Sequence, residues 1–368
     1  MEAGTLTPTE VAVYSTFLVI SLLLGTFGNA VVCLAVYFSG TLRQQVCNMF
    51  VVNLAMTDLI TVLFIAPICV INVIKGRWIW GAQFCNSQAF AYYTLGIVAL
   101  LSIALVSLDR YIAIVHPLLY KTKMTVARAR YMLLSAWLWS FAFTLPCIFF
   151  GWFKYASTES MCTINFAGTG DTWKTRVTVY GVITITLCVA LPSLVMFYSY
   201  IKILTIVNHH LRRVFTTSSN ESQRSLSVRL HGQFASVTSP EYRGFRTIGL
   251  VILIFLVSWL PFSVTKLIKA LKWDHEAVPA TYDTFATVST FFSAAFNPVA
   301  YGLFRKDFRK AIKNLILQVF GSCRRYDIAV ASIKMRSLQK KRNRCSNTKT
   351  SVSNRQRKQE IIEERQNK

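Results

Sequence analysis

The sequence predicts an all-α membrane protein: a bundle of seven transmembrane helices with an amphipathic eighth helix on the membrane surface. Seven apolar runs of about 20 residues or more divide the 368-residue chain, each long enough to cross the hydrocarbon core as a helix. Hydrophobic residues make up 53% of the chain and charged residues 15%, and the apolar residues sit in runs rather than at the helical spacing of a soluble domain. Lys and Arg, finally, are unevenly shared between the two sides of the runs.

The runs place spans near 11–37, 47–72, 85–109, 131–152, 177–205, 246–270 and 280–304, and helices satisfy their own backbone in lipid. If the N-terminus lies outside, the inner side carries 32 Lys and Arg and the outer side 8. The inner ones are Arg43, Arg110, four between spans three and four, seven between spans five and six, and 19 after Tyr301. This asymmetry predicts an extracellular N-terminus and a cytoplasmic C-terminus in the plasma membrane. The net charge of +24 then describes one face, attracted to anionic lipid rather than to nucleic acid.

Residues 1–10 form a short outer segment with no basic stretch or cleavage site before the first span, which itself inserts. That segment holds no Asn, and Asn220-Glu221-Ser222 falls on the inner side, where N-glycosylation does not occur. Of nine cysteines, Cys33, Cys69, Cys147 and Cys188 lie in spans as small apolar residues. Cys85 and Cys162 both lie outside, and a disulfide between them is the economical reading.

No 20- to 50-residue repeat and no mirrored pair of broken helices appears, so one seven-helix domain over 11–304 is expected. Residues 207–242, with Thr216-Thr217-Ser218-Ser219, read as a flexible third cytoplasmic loop. From 305 to 320, Phe308, Ile312, Leu315, Ile316 and Val319 interleave with Arg305, Lys306, Arg309, Lys310 and Lys313, the pattern of a helix lying on the inner leaflet. Cys323 is a candidate palmitoylation site. Residues 321–368 are basic, polar and expected to be disordered.

Asp109-Arg110-Tyr111 ends span three as the sequence turns polar. Charges there are costly unless partnered, which points to function. Cys85 to Arg110 is 25 residues, roughly 37 Å of helix, so one end is stapled outside while the other holds a charge inside. Asp109 can hold Arg110, and Glu241 at the inner end of span six offers a second carboxylate, which makes the Arg a switch. Asn29, Asp58 and Asn297-Pro298 are polar positions that face the bundle interior and form one cluster. Pro192, Pro261 and Pro298 let spans five, six and seven bend. Phe255 and Trp259, four apart, share a face of span six below Pro261.

These motifs resemble those of a rhodopsin-like (class A) G-protein-coupled receptor, from residue 11 to 323. The resemblance rests on Gly28-Asn29, Asn53-Leu54-Ala55-Met56-Thr57-Asp58, Asp109-Arg110-Tyr111 and Trp137 in the first four spans. Pro192 with Tyr200, Ser258-Trp259-Leu260-Pro261 and Asn297-Pro298-Val299-Ala300-Tyr301 supply the other three. It implies that Arg110 locks the inactive state with Asp109 and Glu241, and that Trp259 with Phe255 and Pro261 is the toggle under the ligand. It likewise implies that Tyr200 and Tyr301 stabilise the active state and that Pro117-Leu118 contact the G protein. The implied partners are a heterotrimeric G protein, arrestin, receptor kinases and an extracellular small-molecule or peptide ligand, with no cofactor. Where the family often completes a sodium site with Ser, this chain has Ala99, which leaves Asp58, Ser293 and Asn297 as sodium candidates.

Tyr92 lies 18 residues before Arg110, on the same face. Amine receptors of the family place Asp there, and residues 280–304 hold no Lys for retinal, with Phe291 at that place. The resemblance is therefore to a branch that is neither aminergic nor opsin. The expected pocket is lined by Gln88, Tyr92, Tyr93, Gly96, Thr184 and Cys188, and by Trp259, Phe262, Ser263, Lys266, Thr287 and Phe291. Lys266 would pair with an acidic ligand or bridge Asp283. All five histidines lie outside the spans, and Asp58 and Asp109 are the acids of the first six spans, too few for a metal cluster, proton path or carboxylate dyad. The expectation is a receptor and not an enzyme. The alternatives are a receptor-like protein that signals or binds partners without a ligand and, more remotely, a transporter or channel.

Overall fold

The computed structural model describes residues 6–166, 170–218, 240–274 and 277–318. Seven long helices run through them. Span one is Pro8–Phe38, span two Cys47–Lys75, span three Ala82–Val115 and span four Val126–Phe149. Span five is Asp171–Thr184, a π turn at Ile185–Ala190, then Leu191–Ser218; span six is Pro240–Lys272 and span seven Ala280–Phe304. A further helix covers 306–318. Strands β1 (Phe153–Ala156) and β2 (Met161–Ile164) form an antiparallel hairpin between spans four and five, with Phe153 opposite Ile164 and Ala156 opposite Met161.

Most helices outrun the apolar runs, because caps rather than lipid decide where a helix begins. Thr7 caps span one in a reciprocal capping box with Glu10, with Pro8 opening the helix, so helix already covers the last residues of the expected outer segment. Thr125 caps span four through the backbone N–H of Arg128. Span two ends against Gly76, whose φ of 63° is the left-handed conformation that glycine supplies without strain. Span four stops at Phe149, short of the expected 152, where the chain turns through Gly151 at φ 64°. Helix also runs through Ser218 and resumes at Pro240, reaching into both ends of the expected loop 207–242. Residues 219–239, Cys323 and the tail 321–368 lie outside the described residues.

Six of these helices are long and apolar enough to cross a membrane by length and composition. Span seven has the length, at 25 residues, but turns Asp283, Thr284, Thr287, Thr290, Ser293 and Asn297 into the bundle, all buried. The outer surface is the inverse: Leu23, Phe27, Leu138, Leu194 and Leu260 are exposed, the inside-out arrangement that lipid allows.

Span three is central, touching spans two, four and five along its length, while span seven packs between spans one and six. Phe50, Leu54, Ile103, Phe255 and Tyr301 belong to one buried cluster toward the Arg110 end; Leu18, Ile65, Tyr92, Phe262 and Phe291 form another toward the hairpin. Proline effects are absorbed in two ways. Pro67 and Pro192 each follow a π turn, at Thr61–Ile65 and Ile185–Ala190, which takes up the missing hydrogen bond, whereas Pro146, Pro261 and Pro298 lie inside helices. Pro67 and Pro146 were not among the expected bending points.

Gly28 of span one lies directly against the Pro298 ring, where an added Cβ would come within 2.8 Å of it. Gly28→Ala is expected to cost about 1–3 kcal/mol through overpacking, read as a lowered unfolding temperature of the purified protein. An unchanged temperature would mean that spans one and seven separate freely.

Candidate functional site

At one end of the bundle, Asp109 is fully buried and holds Arg110 twice: Nε donates to Oδ2 at 3.0 Å and a terminal nitrogen lies 2.8 Å away. Its other oxygen accepts from the Tyr120 hydroxyl at 2.9 Å. Tyr120 stands on the short helix Pro117–Lys123 and was not foreseen. That helix carries Pro117 and Leu118, and Leu118 is 93% exposed. Tyr111 lies by His116 and Tyr198 instead. Glu241 belongs to span six, but its side chain lies outside the described residues, so its distance from Arg110 is not defined.

Above this pair a column of aromatic rings follows span six. Phe255 stacks on Trp259 at 5.7 Å, and Trp259 on Tyr92 at 6.0 Å. Gly96 makes room for the Trp259 ring; a Cβ there would meet it at 2.3 Å. Trp259 Nε1 donates to Ser293 at 3.3 Å, tying spans six and seven. Asn297 donates to Asp58 at 3.0 Å, whereas Asn29 donates to the backbone of Gly25 and Ala294. The expected polar cluster is thus one side-chain pair with Asn29 bound beside it to span-seven backbone. Asn53 accepts from Trp137 and donates to Ser102, joining spans two, three and four. Tyr200 packs against Gly249 of span six, and Tyr301 against Phe308. The Asp58 carboxylate, the unpartnered buried Oδ1 of Asn297 and the Ser293 hydroxyl are oxygen groups, the donor type that sodium takes, whereas the Ala99 side chain offers none. Among the described residues, no group of three or more His, Cys, Asp or Glu side chains could hold a metal ion.

At the opposite end the hairpin dips into the bundle. The disulfide Cys85–Cys162 ties β2 to the start of span three. The turn Ser157–Glu159 then carries Thr158 and Glu159 inward, both buried. Thr158 donates to Asp283 at 2.6 Å and its carbonyl accepts from Thr284 at 2.7 Å. Glu159 bonds both Lys266, which also donates to Thr163, and Lys269 at 2.7 Å. Lys269 also pairs with Asp283. The four charged side chains are 0–6% exposed. Burial alone would raise the Glu159 pKa, but Lys266 and Lys269 overcome it and hold the carboxyl down at about 2.

Lys266 therefore pairs neither with Asp283 nor with an open position. Lys269, one helical turn further along span six, reaches Asp283 in its place, and the hairpin brings Glu159 between the two lysines. Sequence reasoning missed Lys269 and Glu159. The available signal was a pair of cations three residues apart at the end of an apolar run, together with an acid three residues before Cys162.

A cavity opens between spans three, five and six beneath the hairpin. Tyr93, Gly96, Thr184, Cys188, Trp259, Phe262, Ser263 and Lys266 line it, joined by Ile164 and Phe166 from the hairpin and its exit. Gln88, Tyr92, Asp283, Thr287 and Phe291 do not. Gln88 accepts the backbone N–H of Cys162, Tyr92 bonds Thr290 at 2.8 Å, Thr287 donates to the Asp283 carbonyl, and Phe291 is fully buried in ring packing. The side of the expected pocket nearest span seven is filled by the protein's own side chains.

The sequence model of the family described as "7 transmembrane receptor (rhodopsin family)" matches residues 28–301. The chain is 29% identical over 302 residues to the histamine H2 receptor of Canis lupus familiaris, covering 82% of this chain and 78% of that one. It is 28% identical over 313 residues to the high-affinity lysophosphatidic acid receptor of Xenopus laevis, 82% of each. The crystal structure of squid rhodopsin superposes with a TM-score of 0.67 at 25% identity, over 88% of this chain and 93% of that one.

Because Glu159 titrates far below its ordinary value of 4.5, its contribution is fully present above that value and is lost as the pH falls toward about 2. Lys266 and Lys269 of span six, Asp283 of span seven and the Tyr93 hydroxyl of span three face the same cluster. Glu159→Gln strands a buried lysine and is expected to cost about 3–5 kcal/mol. Thermal unfolding followed from neutral pH into that acid window should show the wild type losing stability there and the variant losing less. Equal acid sensitivity of the two would sink this assignment.

Proposed function

The chain belongs to the rhodopsin family of seven-transmembrane receptors, multi-pass plasma-membrane proteins that signal through heterotrimeric G proteins and are not enzymes, and we propose that it works by releasing Arg110. In the resting state Asp109 and Glu241 hold Arg110. A signal received at the hairpin end repacks Trp259 and Phe255, the end of span six near Glu241 swings outward, and Arg110 with the short helix Pro117–Lys123 meets the G protein. The observation that carries this reading is the fully buried Asp109, clamping Arg110 at 2.8 Å at the foot of the Trp259 column. The exposed Leu118 supports a docked partner there. Tyr200, packed against Gly249, and Tyr301, with a buried hydroxyl lacking a partner, are the groups that an outward swing would regroup.

In this reading the hairpin end is extracellular and the Arg110 end cytoplasmic, supported by the excess of Lys and Arg on the Arg110 side and by the disulfide at the hairpin. The amphipathic helix lies on the inner leaflet, Cys323 is palmitoylated, and arrestin and receptor kinases act on the same face. Asp58, Ser293 and Asn297 hold sodium in the resting state. The ligand is neither retinal nor an amine: Phe291 stands where a retinal lysine would be needed, and Tyr92, bonded to Thr290, stands where an amine's counter-ion would be. Glu159 and Asp283 are already held by lysines, so neither is free to take an ammonium group. A hairpin already seated in the bundle also favours a second reading, signalling without any added ligand.

Second-messenger output (cAMP and calcium) in cells expressing the wild type, Arg110→Ala and Glu241→Ala tests the switch. Glu241→Ala should raise the basal signal, and Arg110→Ala should abolish both basal and stimulated signals. A signal from a surface-expressed Arg110→Ala equal to that of wild type would refute it. Histamine and trace amines should evoke no response at saturating dose, and a wild-type response to either would overturn the non-amine reading.

A further inference from the structure

Resting on the receptor reading, we propose that Glu159 acts as a built-in ligand head. It occupies the one charged anchor of the apolar cavity, so that the cavity selects neutral, predominantly apolar molecules and rejects both acids and amines. Among the residues lining the cavity, Lys266 carries the only charge; the other polar groups there are hydroxyls, a thiol and the Trp259 N–H. An acidic amphiphile with its chain in the cavity would set its head on Lys266. That place is taken, because the Glu159 carboxylate arrives there from the hairpin turn, with no exposure of its side chain.

The sum of charges decides what can enter. Lys266 and Lys269 are balanced by Glu159 and Asp283, linked in one buried chain of three ion pairs. Two of the partners are also fixed by hydroxyls: Lys266 by Thr163, which is itself bonded to Tyr93, and Asp283 by Thr158. A carboxylate entering beside this neutral cluster adds an uncompensated negative charge, and an ammonium adds a positive one. Either is strongly disfavoured where water does not screen. A neutral alcohol, ester or hydrocarbon adds none and gains only from apolar burial. The disulfide and the Thr158 contacts hold the hairpin so that Glu159 is not easily displaced.

Changing the cluster's charge should therefore change the preferred head group in a fixed order. Glu159→Gln keeps the shape and leaves a surplus positive charge; Lys266→Gln leaves a surplus negative one; the double variant is neutral again. The full-length receptor, purified in nanodiscs, is incubated with an equimolar mixture of decanol, decanoate and decylamine. The ligand retained above empty nanodiscs is then weighed by mass spectrometry. Cys188→Trp, which fills the cavity from span five, supplies the background, and thermal unfolding shows that each variant is folded. The wild type should retain decanol over either charged partner by about tenfold or more, equivalent to about 1.4 kcal/mol or more. Glu159→Gln should turn the preference to decanoate, Lys266→Gln to decylamine, and the double variant back to decanol. The proposal is overturned if the wild type retains decanoate or decylamine best, if no ligand exceeds the Cys188→Trp background, or if the preference fails to follow the charge through folded variants. No G protein enters this measurement, so its failure leaves the Arg110 switch standing, and failure of the switch leaves cavity selectivity intact.

Discussion

A polar side chain in hydrocarbon has no water to fall back on, so it must find its partner inside the bundle, and most of the interior of this protein is arranged around that requirement. Span seven shows it most plainly. Its Asp283, Thr284, Thr287, Thr290, Ser293 and Asn297 are all buried, and all but Thr287 reach out to the hairpin, span three, span six or span two. A helix with a polar inner face is thereby the one that ties the other elements together. The leucines and phenylalanines on the outside are left to face lipid.

The same requirement divides the molecule into regions of different character. At the hairpin end, four buried charges and a disulfide fix the loop against spans three, six and seven. In the middle, contact is mainly ring on ring: Phe255, Trp259 and Tyr92 stack without a network of charges, and packed aromatics can trade one arrangement for another at modest cost. At the other end a single buried carboxylate is shared between Arg110 and Tyr120. A rigid cap, a repackable column and one breakable ion pair make a sound physical basis for transmitting a change along about 37 Å of helix, the rise of 25 residues from Cys85 to Arg110.

Much of this was legible in the amino-acid order. Apolar runs of bilayer length determined the seven helices, and the Cys85–Cys162 pairing followed from two cysteines on the same side. Asp109 beside Arg110 and Phe255 four residues before Trp259 are neighbours along one helix, and Asp58 and Asn297 are polar residues that lipid drives inward. Helix ends were less legible, because Thr7, Thr125 and Gly76 act through local capping geometry that hydropathy does not register. The π turns before Pro67 and Pro192 were equally silent, since an extra residue per turn leaves composition unchanged.

What the sequence by itself determined was therefore everything that depends on spacing along one helix or on the chemistry of one span: the architecture, the buried acid–base pair and the family resemblance. What only the tertiary structure decided was which groups from distant segments meet. Glu159 and Lys266 are 107 residues apart, and Lys269 rather than Lys266 meets Asp283. Whether a lysine in a cavity awaits a ligand or is already satisfied depends on how deeply a hairpin folds back between helices. Periodicity fixes the face on which a residue stands; the partner across that face depends on the packing of the whole bundle.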